Sequence, residues 1–103
     1  MCNYGFVFAT KMLVEDKRKV RFMYREQPDD PNDSGWRFFC GDEDQSYTDD
    51  PDNIGIYNIS TILEIDDSIM PFLNSAFGTA FEREDENAPF AKLEGFLFNE
   101  EGD

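Results

Sequence analysis

The sequence predicts an α+β fold, a single small domain with a mostly antiparallel sheet and one or two short helices. Three observations lead there. Strand-like segments come first, helical turns occupy the middle and strand-like segments return, an order that suits a sheet with its helices segregated. The 103 residues fit one domain, with a radius of gyration of about 13 Å when compact. Finally, 40% of residues are hydrophobic and 16% aromatic, eleven of them Phe, which sets this chain apart from disordered acidic ones.

Residues 4–9, Tyr-Gly-Phe-Val-Phe-Ala, read as a buried first strand. Thr10 is the N-cap of a short helical turn over Lys11 to Glu15, and Asp16 to Lys19 form a polar connection. Val20 to Arg25 alternate, with Val20, Phe22 and Tyr24 on one face and Arg21, Met23 and Arg25 on the other. That is the period of a strand with one wet face. Pro28 to Gly35, with two prolines and turn-forming Asp and Asn, are a loop. Trp36 to Cys40 follow as a third strand closed by Gly41, making a hairpin with the second strand across this acidic connection.

Residues 42–53 form a second acidic loop containing Pro51, and Ile54 to Tyr57 are short and apolar. Asn58 caps a helical turn over Ile59 to Ile65, with Ile59, Ile62 and Leu63 at helical spacing. Asp66 or Asp67 caps another, in which Pro71 is confined to the first turn and Ile69, Phe72 and Leu73 supply the apolar face. Asn74 to Gly78 end it, and Thr79 to Arg83 are a strand anchored by Phe81. Glu84 to Asn87 are a loop. Phe90 to Phe98 are either a last strand or a loosely attached segment, and Glu100 to Asp103 a frayed acidic end.

Charge narrows the function classes. Nine Lys and Arg face 23 Asp and Glu, a net charge of −14. Residues 1–25 carry six basic against two acidic residues, net +4, and residues 26–103 carry three against 21, net −18. The acid concentrates in Glu26 to Asp33 and Asp42 to Asp52, with a smaller group at Glu82 to Glu86. Phosphates would be repelled, so neither nucleic acid nor an anionic membrane is expected as a partner. A protein with a basic surface is.

The chain has no histidine, which removes His-based acid–base catalysis, His–metal sites and Ser–His or Cys–His triads. Two cysteines, Cys2 and Cys40, are too few for a disulfide scaffold or an all-thiolate zinc site. Whether they pair is left open by the sequence. No apolar run approaches a membrane span, and the first residues lack a basic leader, so the expected setting is cytoplasmic.

Several blocks carry a family likeness. They are Phe22-Met23-Tyr24-Arg25-Glu26, the run Asp33-Ser34-Gly35-Trp36-Arg37-Phe38-Phe39-Cys40-Gly41-Asp42-Glu43, Tyr47, Asp49-Asp50-Pro51-Asp52-Asn53, Ile56-Tyr57-Asn58-Ile59-Ser60-Thr61-Ile62, Pro71-Phe72-Leu73 and Gly78-Thr79-Ala80-Phe81-Glu82-Arg83. In this order the chain resembles, over residues 1–83, the bacterial small-protein family labelled immunity protein type thirty-three, from toxin–immunity systems. Residues 84–103 are read as a C-terminal extension. The resemblance implies a small, non-enzymatic α+β domain that neutralises a cognate toxin by binding it.

The binding candidates are Trp36, Arg37, Asp42, Glu43, Asp44, Tyr47, Asp49, Asp50, Asp52 and Tyr57. Trp and Arg dominate binding hot spots, and the loop acids would steer a basic partner. The plainer reading puts Trp36 in the core and pairs Arg37 with a loop carboxylate. Asp42, Asp44 and Ser46 alternate as in a calcium loop, but Tyr47 stands where that loop needs Gly and Asn53 where it needs a bidentate Glu. The expectation is therefore no cofactor, no metal site and no catalytic residue. The alternative is a divalent-cation-binding or housekeeping domain without a toxin partner.

Overall fold

Alternation of large apolar residues builds six strands into one sheet in the computed structural model, which describes residues 5–93. The strands are β1 (Phe6–Thr10), β2 (Phe22–Arg25), β3 (Asp33–Phe39), β4 (Ile54–Asn58), β5 (Thr79–Glu82) and β6 (Ala91–Lys92). Their spatial order is β4-β1-β3-β2-β5-β6. Only β1 and β3 run parallel, because α1 (Lys11–Glu15) and β2 intervene as a crossover; the other neighbours are antiparallel. The helices are α1, α2 (Gln45–Thr48) and α3 (Ile59–Ile65), with 3-10 turns at Pro51–Asn53 and Asp67–Phe72. The radius of gyration is 13.0 Å. The α+β expectation holds.

One sheet face is covered. Val7, Ala9, Met23, Trp36, Phe38 and Phe81 meet Leu13, Ile62, Ile69 and Leu73 from α1, α3 and the turn at Asp67–Phe72. Here β2 differs from the sequence reading. Met23 is buried and faces the core, whereas Phe22 and Tyr24 lie half-buried on the opposite face. Register explains it: Met23 pairs with Phe38 and Phe81, both core residues. Val20 is buried as well, ahead of the strand.

Local rules place the ends. Thr10 caps α1 by accepting the Leu13 N–H at 3.3 Å. At its other end Lys17 takes φ 54°, and two bonds close the helix, Lys17 N–H to Val14 O and Arg18 N–H to Leu13 O. This is a Schellman motif in the position glycine usually fills. Asn58 stands at the N-cap of α3 without a side-chain bond to it. Asp66 caps the following turn, which is 3-10 rather than α. Pro71 sits fifth in that stretch, beyond its first turn, and separate bonds from Leu73 N–H to Met70 O and Ser75 N–H to Phe72 O carry the chain past it. β3 begins at Asp33, earlier than the loop reading had it. The acidic run 42–53 is likewise not plain loop, since it holds α2 and a 3-10 turn. β6 falls within the expected last strand; residues 94–98 of it and the acidic end lie outside the described residues.

Candidate functional site on the second face of the sheet

α1 and α3 pack on the first sheet face; the second is met at one end by α2, through Thr48. Register puts Phe8 beside Arg37 and Ile56, Tyr24 beside Arg37, and Phe22 beside Phe39. The rings form a connected row: Phe22 to Phe39 is 5.5 Å, Phe22 to Tyr24 5.8 Å, and Tyr24 stacks on Phe39 at 5.9 Å. Arg37 lies over the Phe8 ring at 4.2 Å, within cation–π range. Phe8, Tyr24, Glu26, Arg37, Phe39 and Ile54 help line a concavity of about 430 Å³. Ile56 at the margin is 63% exposed.

Arg37 is buried yet fully engaged. Its Nε donates to Glu26 at 2.6 Å, and its two terminal nitrogens donate to the two Asp33 oxygens at 2.9 Å. Burial pushes the Asp33 carboxyl up, but the Arg37 bonds and the Gly35 N–H outweigh it and hold it below the usual carboxylate range. Burial also raises the Tyr24 hydroxyl, with the Glu26 charge adding to it.

Topology sets the acidic runs at opposite ends of this face. Residues 26–32 join β2 to β3 at one end. Residues 40–53 leave β3 and enter β4 at the other, and Thr48 and Ile54 from that side reach the same concavity as Glu26.

The expected binding residues separate into two groups. Trp36 is 0% exposed, and its indole N–H donates to Leu73 O at 3.2 Å. It is a core residue, so the binding-anchor expectation gives way to the plainer one; a partner would reach it only by unfolding the domain. Arg37 likewise takes the loop-carboxylate reading. Glu43 is a clasp: it accepts from the Thr10 hydroxyl at 2.5 Å, from Cys40 N–H at 2.9 Å and from Gly41 N–H at 2.9 Å. Burial raises its pKa, but the bonds from Thr10 and Cys40 prevail and hold it low. Tyr47 accepts the Met12 N–H at 2.9 Å, and Tyr57 packs half-buried against the core with its hydroxyl raised by burial.

Asp42 pairs with Arg18 and Arg21. Asp44 caps α2 by accepting the Tyr47 N–H, Asp50 caps the next turn, and Asp49 accepts from Gln45. With Asp52 these four remain exposed. Among the described residues no group of three or more His, Cys, Asp or Glu side chains could hold a metal ion. Cys40 is a buried thiol pushed up to about 11, chiefly by burial; any pairing with Cys2 lies outside the described residues. No described helix is long and apolar enough to cross a membrane.

The model of the Immunity protein Imm33 domain matches residues 7–94, most of the chain, from the second residue of β1 through β6. The chain belongs to the Imm33 immunity protein domain family. Neither a curated protein nor a solved structure matches it. The Imm33 match extends past Arg83, taking in β6 and the Phe90 ring that packs on Phe72 at 5.4 Å.

The aromatic residues of the open face, Phe8, Phe22, Tyr24 and Phe39, were absent from the sequence candidates. Their signal was available in part: Phe39 alternates with Phe38 and Cys40, and Phe8 with Val7 and Ala9. What the sequence lacked was which face of β1 and β2 the helices cover.

Proposed function

We propose that this Imm33 domain is a non-enzymatic binding protein that neutralises a cognate toxin by covering a basic surface on it, acting in the cytoplasm. The carrying observation is the second sheet face, an aromatic row bounded at each end by an acidic segment. Aromatic rings on a rigid sheet are suitable anchors, because they bury much area at small entropic cost. Exposed Asp29 and Asp30 at one end, and Asp44, Asp49, Asp50 and Asp52 at the other, would speed encounter with a cationic partner. Family membership supports a protein partner. Among the described residues the buried Cys40 has no disulfide partner, which suits a reducing compartment. Nothing in the geometry favours the cation-binding alternative, since Asp42 and Asp44 are engaged elsewhere.

The test is co-expression with a toxin domain, sought among the genes that neighbour this chain's own. Protection should be lost with Phe39→Ser and retained with Met70→Ser, an exposed residue on the helical side. The measured association rate should fall as salt rises. A rate indifferent to ionic strength would rule out steering by these acids, and protection by Phe39→Ser would rule out the open face.

A further inference from the structure

Among the described residues the sheet has two edges, β4 and β6, and they are built differently. β6 is two residues long and carries Lys92, a short charged edge of the kind that discourages pairing. β4 runs five residues, Ile54-Gly55-Ile56-Tyr57-Asn58, without charge or proline, and pairs with β1 without a bulge. At its centre stands Ile56, the most exposed of the large hydrophobic residues described.

Strand alternation shows which backbone groups face out. Phe6 N–H donates to Asn32 O on the β3 side, so Phe6, Phe8 and Thr10 turn their peptide groups toward β3 and Val7 and Ala9 turn theirs toward β4. Val7 lies opposite Tyr57 and Ala9 opposite Gly55, so these pairs make the ladder and Ile54, Ile56 and Asn58 turn outward. Ile54 N–H closes onto Pro51 O, which leaves Ile56 as the central outward donor and acceptor. Just before the strand come Asp49, Asp50 and Asp52, all exposed.

We infer that β4 is where an extended cationic segment of a protein partner adds as a further strand. The inference rests on the binding reading above and supplies its mode. Main-chain pairing along an edge gives affinity, and alternate side chains give selection. Apolar side chains of the incoming strand would lie beside Ile54 and Ile56 and extend the aromatic face, while its cations would lie near the three aspartates. A second copy of this chain suits the edge less well, since each copy carries a net charge of −14.

The probe is a short capped peptide of alternating valine and lysine, titrated into the full-length, isotope-labelled chain. Amide shifts and slowed exchange should centre on Ile56 and Asn58. Ile56→Pro deletes the outward N–H and leaves the β1 ladder intact, so it should weaken binding about tenfold or more. N-methylating alternate amides of the peptide should give the same loss with the protein untouched. Shifts centred on Phe8, Tyr24 and Phe39 with β4 silent would overturn the inference. So would equal binding by the N-methylated peptide or by a valine–glutamate peptide, or a dimer of the chain alone paired through Ile56. In the co-expression assay, protection by Ile56→Pro alongside failure of Phe39→Ser would defeat the edge and leave the open face standing.

Discussion

Glu43 looks in the sequence like one more acid in a solvated run, yet it accepts three bonds that tie the end of β1 to the end of β3. Glu43→Gln keeps the shape and removes the charge, so unfolding free energy should drop by about 1–3 kcal/mol in urea melts. The pH dependence follows from Glu43 and Asp33, whose folded pKa values both lie below their unfolded ones. Their stabilisation is fully present above the unfolded carboxylate range and is lost as pH falls through the folded values. Stability should therefore hold from neutral pH to about 5 and decline below it, and a chain carrying both Glu43→Gln and Asp33→Asn should show a flatter acid limb. Trp36→Phe should destabilise by about 1–3 kcal/mol, through the lost bond to Leu73 and the lost volume, and leave partner affinity unchanged in the folded protein.

At the scale of elements, Arg83 and Asp66 hold β5, the entry to β2 and the turn after α3 together. Arg83 donates to Asp66 at 2.6 Å and to Val20 O at 2.8 Å, while Asp66 also accepts the Val20 N–H at 3.0 Å. Both side chains are buried, so removing one strands the other. Arg83→Met should cost about 3–5 kcal/mol, read by denaturant melts. The end of α1 runs the other way. Lys17 occupies the left-handed position a glycine would fill without strain, so Lys17→Gly should raise stability by about 1 kcal/mol. Much of this scale was legible. The cap at Thr10, the span of α1, the span of α3 and the β2–β3 hairpin all follow from local rules, because the residues that decide them are neighbours in sequence. The facing of β2 did not follow. Alternation says that two faces differ, and only long-range pairing with Phe38 and Phe81 says which is inside. The same gap hid the candidate site. Phe8, Tyr24 and Phe39 come from three strands, and their assembly depends on the parallel placement of β3 beside β1.

Taken whole, the molecule is a two-layer domain with one finished face and one bare one. Its net charge of −14 repels itself, so added monovalent salt should raise the melting temperature, and a fall would contradict a self-repelling charge excess. Part of that acid, in residues 26–32 and 40–53, stands at the two ends of the bare face, where the proposed reading places a cationic partner. Scattered carboxylates would serve solubility equally well; the aromatic row between the clusters is what solubility does not require. Exposed Met70 and Phe77 mark the only rival apolar positions of comparable size among the described residues. The most direct test is amide hydrogen exchange of the chain with and without a toxin domain against which co-expression shows it to protect. Protection should appear across Phe8, Phe22 to Tyr24, Phe39 and Ile56. Protection confined to the segments around Met70 and Phe77, with the bare face unchanged, would contradict the account.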